Sequence, residues 1–293
     1  MTLKHTKDYL INNTGESDPS TQNMICIYDV EYERAMEFEI NSIFFNNFEG
    51  FSQLNFSNGL YFCGTGFSDK TNGSYFFKYE PNNPTKNVTI LVNSIQHHFF
   101  PTMIGYKTDH IYVIGGLRSK AAEYYNTKTH RWRCLPDIDE ERFNAMGYSD
   151  EIQEMIYIFG GYNSDLSLNS TCILRMDLKS FHVWEKINLK SNSSLIAKNS
   201  SAIFKFDKEE CIYILGGRNS LGNITDEIIE YDTKTNEVAL VDKKLELPSS
   251  FSNSGGTDLN KNEFFFFDDN SNVHNICRND FRVKMHKQED ILV

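Results

Sequence analysis

The sequence predicts an all-β chain, built as a closed ring of six repeated sheets with four antiparallel strands in each. Three observations carry that expectation. The composition suits strands, an apolar run recurs about every 51 residues, and a second landmark follows each run at a similar distance.

Of the 293 residues, 40% are hydrophobic and 14% aromatic, with 23 Phe and 15 Tyr. That is ample for a core, and aromatics fit a pleated, half-buried surface better than a helix. Disorder of the whole chain is excluded on the same figures. The 29 Lys and Arg face 40 Asp and Glu, a net charge of −11, and no dense basic run offsets it. A phosphate backbone meets repulsion, so no nucleic-acid partner is expected. The start, Met1 to Lys7, is polar, and no stretch of about 18 apolar residues occurs, so neither a leader nor a membrane partner is expected. The resulting expectation is a cytoplasmic protein. Six cysteines are scattered without CxxC or CxC spacing and read as buried thiols in strands. Triplets such as Asn87-Val88-Thr89 and Asn223-Ile224-Thr225 reflect abundant Asn rather than glycan acceptors.

The repeat is plainest in Ile111-Tyr112-Val113-Ile114-Gly115-Gly116, Ile156-Tyr157-Ile158-Phe159-Gly160-Gly161 and Ile212-Tyr213-Ile214-Leu215-Gly216-Gly217. Leu60-Tyr61-Phe62-Cys63-Gly64-Thr65 is close to them. Two further copies are proposed at the ends, Tyr9-Leu10-Ile11-Asn12-Asn13 after Asp8, and Phe264-Phe265-Phe266-Phe267-Asp268-Asp269. The residues after each run, 12, 64, 115, 160, 216 and 268, are spaced by 52, 51, 45, 56 and 52. Asn and Asp tolerate positive φ best after glycine, so they are expected to stand in for the glycine pair.

The second landmark is an aromatic or apolar residue before an acid or amide: Tyr28-Asp29, Tyr79-Glu80, Tyr125-Asn126, Met176-Asp177 and Tyr231-Asp232. Turn-like stretches such as Thr127 to His130 follow, and then a strand carrying Trp132 or Trp184. Upstream, Phe143 to Tyr148 and Ser201 to Phe206 supply a fourth strand, so each period makes one four-stranded sheet. The whole chain, 1–293, reads as one domain with approximate blades 1–45, 46–95, 96–138, 139–190, 191–248 and 249–293.

These residues resemble the kelch repeat, whose blades carry an apolar run ending in Gly-Gly, then Tyr-Asp, then Trp. The resemblance implies a six-bladed β-propeller. A sheet with two apolar faces is satisfied only when neighbours cover both, and closing the ring removes the need for caps. The tryptophans are expected to pack against the next blade. The first blade has little room for an innermost strand, which either Asp290-Ile291-Leu292-Val293 or a longer parent chain would supply.

Propellers also host enzymes, so residues must decide function. No GxSxG, HExxH or P-loop string appears, and no catalytic residue, metal or cofactor is nominated. His97-His98, the one neighbouring histidine pair, is expected on a solvated loop, and Glu140-Glu141 and Asp268-Asp269 in solvated turns. A non-enzymatic role is therefore expected, as a protein-interaction scaffold or substrate-recognition module. The kelch resemblance extends this to cytoskeletal scaffolds and ubiquitin-ligase adaptors. It places partner contacts on the loops after the glycine pairs, which begin Phe67-Ser68, Leu117-Arg118, Tyr162-Asn163 and Arg218-Asn219. In similar adaptors Arg and Asn side chains clamp acidic peptides, so Arg118, Tyr162, Asn163, Arg218 and Asn219 are candidate contacts, joined by Arg142 and Asn144. The alternative is an enzyme or lectin handling a sugar or small carbonyl compound in an acid-lined channel mouth, with Tyr162 and Phe67 as platforms.

Overall fold

Each recurring apolar run is one strand long and lacks a polar face, so it is satisfied only in a sheet covered on both sides. The computed structural model describes residues 9–13, 24–29, 34–39, 50–57, 59–65, 73–80, 88–163, 172–180, 183–189, 192–206, 209–251, 257–258, 263–268, 272–277 and 282–287, and it places the runs in such sheets. The N-terminal sheet holds β1 (Tyr9–Asn13), β2 (Met24–Asp29) and β3 (Arg34–Glu39). Next come β4 (Phe51–Phe56), β5 (Gly59–Gly64), β6 (Tyr75–Tyr79) and β7 (Val88–Ile90), then β8 (Thr102–Tyr106), β9 (His110–Ile114), β10 (Ala122–Asn126) and β11 (Arg131–Leu135). They are followed by β12 (Met146–Asp150), β13 (Met155–Phe159), β14 (Cys172–Asp177) and β15 (Glu185–Asn188), then β16 (Ala202–Phe204), β17 (Cys211–Leu215), β18 (Glu227–Asp232) and β19 (Glu237–Lys244). The last sheet has β20 (Thr257–Asp258), β21 (Glu263–Phe267), β22 (Val273–Cys277) and β23 (Arg282–His286).

Strands pair antiparallel in chain order within every sheet. The expected count of six four-stranded blades is overturned. Among the described residues five sheets have four strands and the N-terminal one has three, so the propeller has five full blades. The reason lies in register: β1 carries the apolar run and pairs with β2 as β9 pairs with β10, so that sheet starts at the strand that is second elsewhere. Among the described residues no inner strand precedes it, and Asp290–Val293, expected as one source of that strand, lies outside them. β1 lies against β21 of the last sheet.

Alternate residues of the buried strands serve opposite neighbours. Ile111 and Val113 pack with Tyr61, Cys63 and Phe76 of the preceding blade, whereas Tyr112 and Ile114 pack with Ile156, Ile158 and Leu174 of the following one. Fully burying such side chains is worth roughly 1.5–3 kcal/mol each, so both faces of a blade are needed. Trp132 Nε1 donates to the Val92 carbonyl at 2.8 Å and its ring meets Phe76 at 4.9 Å. Trp184 Nε1 donates to the Pro136 carbonyl at 2.9 Å. Both therefore pack on the preceding blade, not the following one as expected. Trp132 sits opposite Tyr125, whose ring already faces backward onto Phe76.

The acid or amide of the second landmark opens the outer hairpin. Asn126 Oδ1 accepts the amides of Lys128 and Thr129, and Asp232 Oδ1 those of Lys234 and Thr235. His130 and Asn236 then close these turns at φ 56° and 57°. The cysteine expectation needs correcting: Cys63 and Cys172 are buried, but Cys134 is exposed and Cys211 and Cys277 are half-buried.

Candidate interaction surface

The glycine pairs place one loop of each blade against its neighbour. The amides of Gly116, Gly161 and Gly217 donate to the carbonyls of Arg142, Lys198 and Ser249 at 2.7, 2.9 and 2.8 Å, each in the link that enters the next blade. All six paired glycines, from Gly115 to Gly217, have positive φ. In the last sheet the substitution of Asp for glycine works otherwise. Among the described residues with positive φ, Asp268 does not appear, and its buried carboxylate accepts from the Asn272 amide at 2.9 Å and His274 Nε2 at 3.0 Å. Asp268 is thus no solvated turn residue. Asn12 and Asn13 lie within β1.

A second series of backbone bonds runs around the central channel. Phe100, Asn144 and Ser200 sit just ahead of β8, β12 and β16, at φ 53°, 51° and 52°. Phe100 N–H donates to Gly50, Asn144 N–H to Phe100, Ser200 N–H to Asn144 and Phe251 N–H to Ser200. The result is a head-to-tail chain of hydrogen bonds across five successive links. The inner strands run side by side in the same direction, as Thr102 Oγ1 to the Ala145 carbonyl and Ser149 Oγ to the Gly105 carbonyl show. All loops that follow glycine pairs therefore leave at the same end of the ring.

Two positions before Phe100, Asn144, Ser200 and Phe251 lies a buried polar side chain: His98, Arg142, Lys198 and Ser249. His98, expected on a solvated loop, is fully buried, with Nδ1 2.7 Å from the Gly115 carbonyl and Nε2 2.9 Å from Glu123 Oε1. Arg142 is only 1% exposed, bonded to Glu140 Oε1 at 2.7 Å and close to the Cys172 carbonyl and thiol. That placement removes Arg142 from the solvent-facing candidates, and Glu140, still 34% exposed, is its counter-ion. Lys198 Nζ reaches Glu227 Oε2 at 2.7 Å and the Gly216 carbonyl at 3.3 Å. Burial pulls the Lys198 ammonium below its ordinary value, against the opposing pull of Glu227. A basic side chain that braces the blade junction is thus repeated in three consecutive blades.

The remaining candidates other than Asn144 lie on the glycine-following loops of three consecutive blades. Arg118 is exposed and held at φ 57°. Tyr162 is half-buried against Phe143 at 5.5 Å between ring centroids, with paired backbones, and Asn163 follows it. Arg218 pairs its backbone with both Asn199 and Ile224. Asn219 Oδ1 accepts the amides of Leu221 and Asn223 at 3.0 and 3.1 Å, and the Gly222 amide donates to the Asn219 carbonyl. The loop is therefore a stiff turn. At its tip stands Leu221, 81% exposed, a residue sequence reasoning missed although an apolar side chain between Ser220 and Gly222 in a polar loop is the visible signal. Asn144 belongs elsewhere, on the channel wall. Phe67 and Ser68 lie outside the described residues.

The channel holds a cavity of about 460 Å³ lined by the inner strands, including Gln53, Asn55, Met103, Asn144 and Ile203. Among its described lining residues the one carboxylate is Glu151, whose Oε1 accepts the Lys107 amide at 2.9 Å. Among the described residues no cluster of three or more His, Cys, Asp or Glu is placed to hold a metal ion, and no helix is long and apolar enough to cross a membrane.

Burial pushes the Asp268 carboxyl up, but the hydrogen bonds from His274 and Asn272 outweigh it and hold it below the usual carboxylate value. A carboxylate depressed in the folded state contributes stability that is complete above its unfolded pKa, about 3.9, and lost as pH falls through the folded one. Asp268→Asn is therefore expected to flatten the acid limb of a plot of melting temperature against pH. An unchanged acid limb would assign that titration to other carboxylates.

A family model for the Kelch motif matches residues 108–138, which run from the turn before β9 past the end of β11 and include Gly115, Gly116, Tyr125 and Trp132. No curated protein matches the chain.

Proposed function

We propose that this kelch-repeat β-propeller is a protein-interaction module that uses the glycine-following loops of three consecutive blades to hold an acidic segment of a partner protein. The observation that carries the reading is the state of two arginines. Among the described residues most surface lysines are already paired, as in Lys128 with Asp109, Lys179 with Glu154 and Lys244 with Asp226. Among the described residues Arg118 has no such carboxylate, and the Arg218 guanidinium donates only to the Gly222 carbonyl, at 3.4 Å. Unpaired guanidinium groups on a chain of net charge −11 are the natural seats for carboxylates from outside. Stiff loops lower the ordering cost of binding, and Leu221 adds an apolar anchor beside the charge.

Binding of an array of Asp- and Glu-rich peptides to the full chain tests this. Arg118→Ala with Arg218→Ala is expected to weaken the best binder at least tenfold, about 1.4 kcal/mol, with an unchanged melting temperature. Equal binding by the double variant would reject the acidic-segment reading.

A further inference from the structure

Among the described residues each blade ends in an outer strand with one edge that no further strand pairs, although just past β7 the Val92 carbonyl on that side already accepts from Trp132 Nε1, and proteins protect such edges with charge. Five of the six outer strands follow that rule. β3 holds Arg34, Glu37 and Glu39, and β11 holds Arg131 and Arg133. β15 holds Glu185 and Lys186, β19 four charged residues from Glu237 to Lys244, and β23 Arg282 and Lys284. β7 is the exception. It is the edge of its sheet, and no Asp, Glu, Lys or Arg occurs from Asn87 to His97. Along that stretch Ile90, Val92 and Ile95 are 56%, 59% and 49% exposed.

The other side of the same strand borders a cleft. Thr89 and Leu91 line a space of about 330 Å³ with Tyr61, Lys78, Glu80 and His130. Lys78 and Glu80 pair there at 2.6 Å, and His130 Nδ1 meets the Tyr125 hydroxyl at 2.9 Å. A strand added beside β7 would alternate its side chains between these two environments, apolar over Ile90 and Val92, polar or charged over the cleft.

We infer that β7 is a strand-addition site for an extended partner segment in which aliphatic residues alternate with polar or charged ones. The surface is separate from the glycine-following loops and does not rest on their reading. A second copy of the chain is the less suitable occupant. A three-residue strand with three aliphatic side chains falls well short of the roughly 1,200 Å² that a stable specific interface buries, and each copy brings a charge of −11. A short segment needs only main-chain pairing and side-chain seats.

The test uses the full chain and a pool of eight-residue peptides with Ile, Val or Leu at every second position and all residues between. The expected result is an enriched alternating peptide whose affinity, read by fluorescence anisotropy, falls at least tenfold for Ile90→Lys and for Val92→Lys. Leu240→Lys on the edge of β19 should leave it unchanged, as should Arg118→Ala with Arg218→Ala. N-methylation of alternate peptide amides should abolish binding in one phase only, a readout that needs no variant protein to fold. Absence of enrichment, equal binding by both lysine variants with intact melting temperatures, or equal tolerance of both methylation phases would overturn the inference. A dimer in sedimentation that Ile90→Lys dissociates would also overturn it, by naming the second copy as occupant.

Discussion

Gly160→Ala is expected to lower the melting temperature by about 10 °C, the consequence of a loss of roughly 3–4 kcal/mol in a domain of this size. Gly160 sits at φ +56°, and a β-carbon there would lie 1.8 Å from the Lys198 carbonyl oxygen, a backbone atom that cannot turn aside. The same carbonyl accepts the Gly161 amide, so moving it breaks the bond that ties two blades together. Strain and a lost junction bond act at once. Gly222→Ala separates the two causes: φ is +78°, but nothing lies within 4 Å of the added carbon. That change costs only the left-handed conformation, about 1 kcal/mol, a shift of about 3 °C. Differential scanning calorimetry of both variants decides the matter. Equal shifts would mean that close approach of the blades contributes nothing and the glycine pair serves conformation alone.

What the sequence makes legible follows from periodicity. Ile111 to Ile114 read as a strand buried on both faces because four consecutive apolar residues before two glycines leave no polar side, and the structure buries them so. The direction of Trp132 was not legible, since strand alternation says that a ring faces a neighbour but not which one. The blade count failed at β1 for a related reason. A period locates the second strand of each repeat, whereas an inner strand is legible upstream only where the chain offers one, as at Phe143 to Tyr148, and before β1 it has to be borrowed from Asp290 to Val293 or from a longer chain. Among the site residues, Arg118 and Arg142 are alike as letters. Only the third dimension shows that one stands in solvent while the other lies under the following blade, with Glu140 to balance it. His98 was hidden in the same way. As one of two adjacent histidines it suggests a loop, yet in space it occupies the position of Arg142 and Lys198 in the neighbouring blades.

That equivalence supports the second large effect, at Glu123. Both carboxylate oxygens are used: Oε1 meets His98 Nε2 at 2.9 Å and the Gln96 amide at 3.1 Å, and Oε2 meets the Ile95 amide at 3.0 Å. The Glu123 and His98 side chains are both fully buried. Glu123→Ala therefore strands three donors, and breaking such a buried set costs roughly 3–5 kcal/mol. His98→Leu removes one of those donors but leaves the carboxylate holding the link that enters β8, so a smaller loss is expected. For a simple buried pair, replacing both members by apolar residues restores most of the stability. Here His98→Leu with Glu123→Met should not, because the amides of Ile95 and Gln96 still lose their acceptor. Urea unfolding of the three variants distinguishes the cases. A double variant within about 0.5 kcal/mol of the parent, the range in which independent sites are treated as unperturbed, would show that water replaces Glu123 at those amides. The carboxylate would then be only a counterpart to His98. A double variant that stays as unstable as Glu123→Ala would identify Glu123 as the anchor of the blade junction.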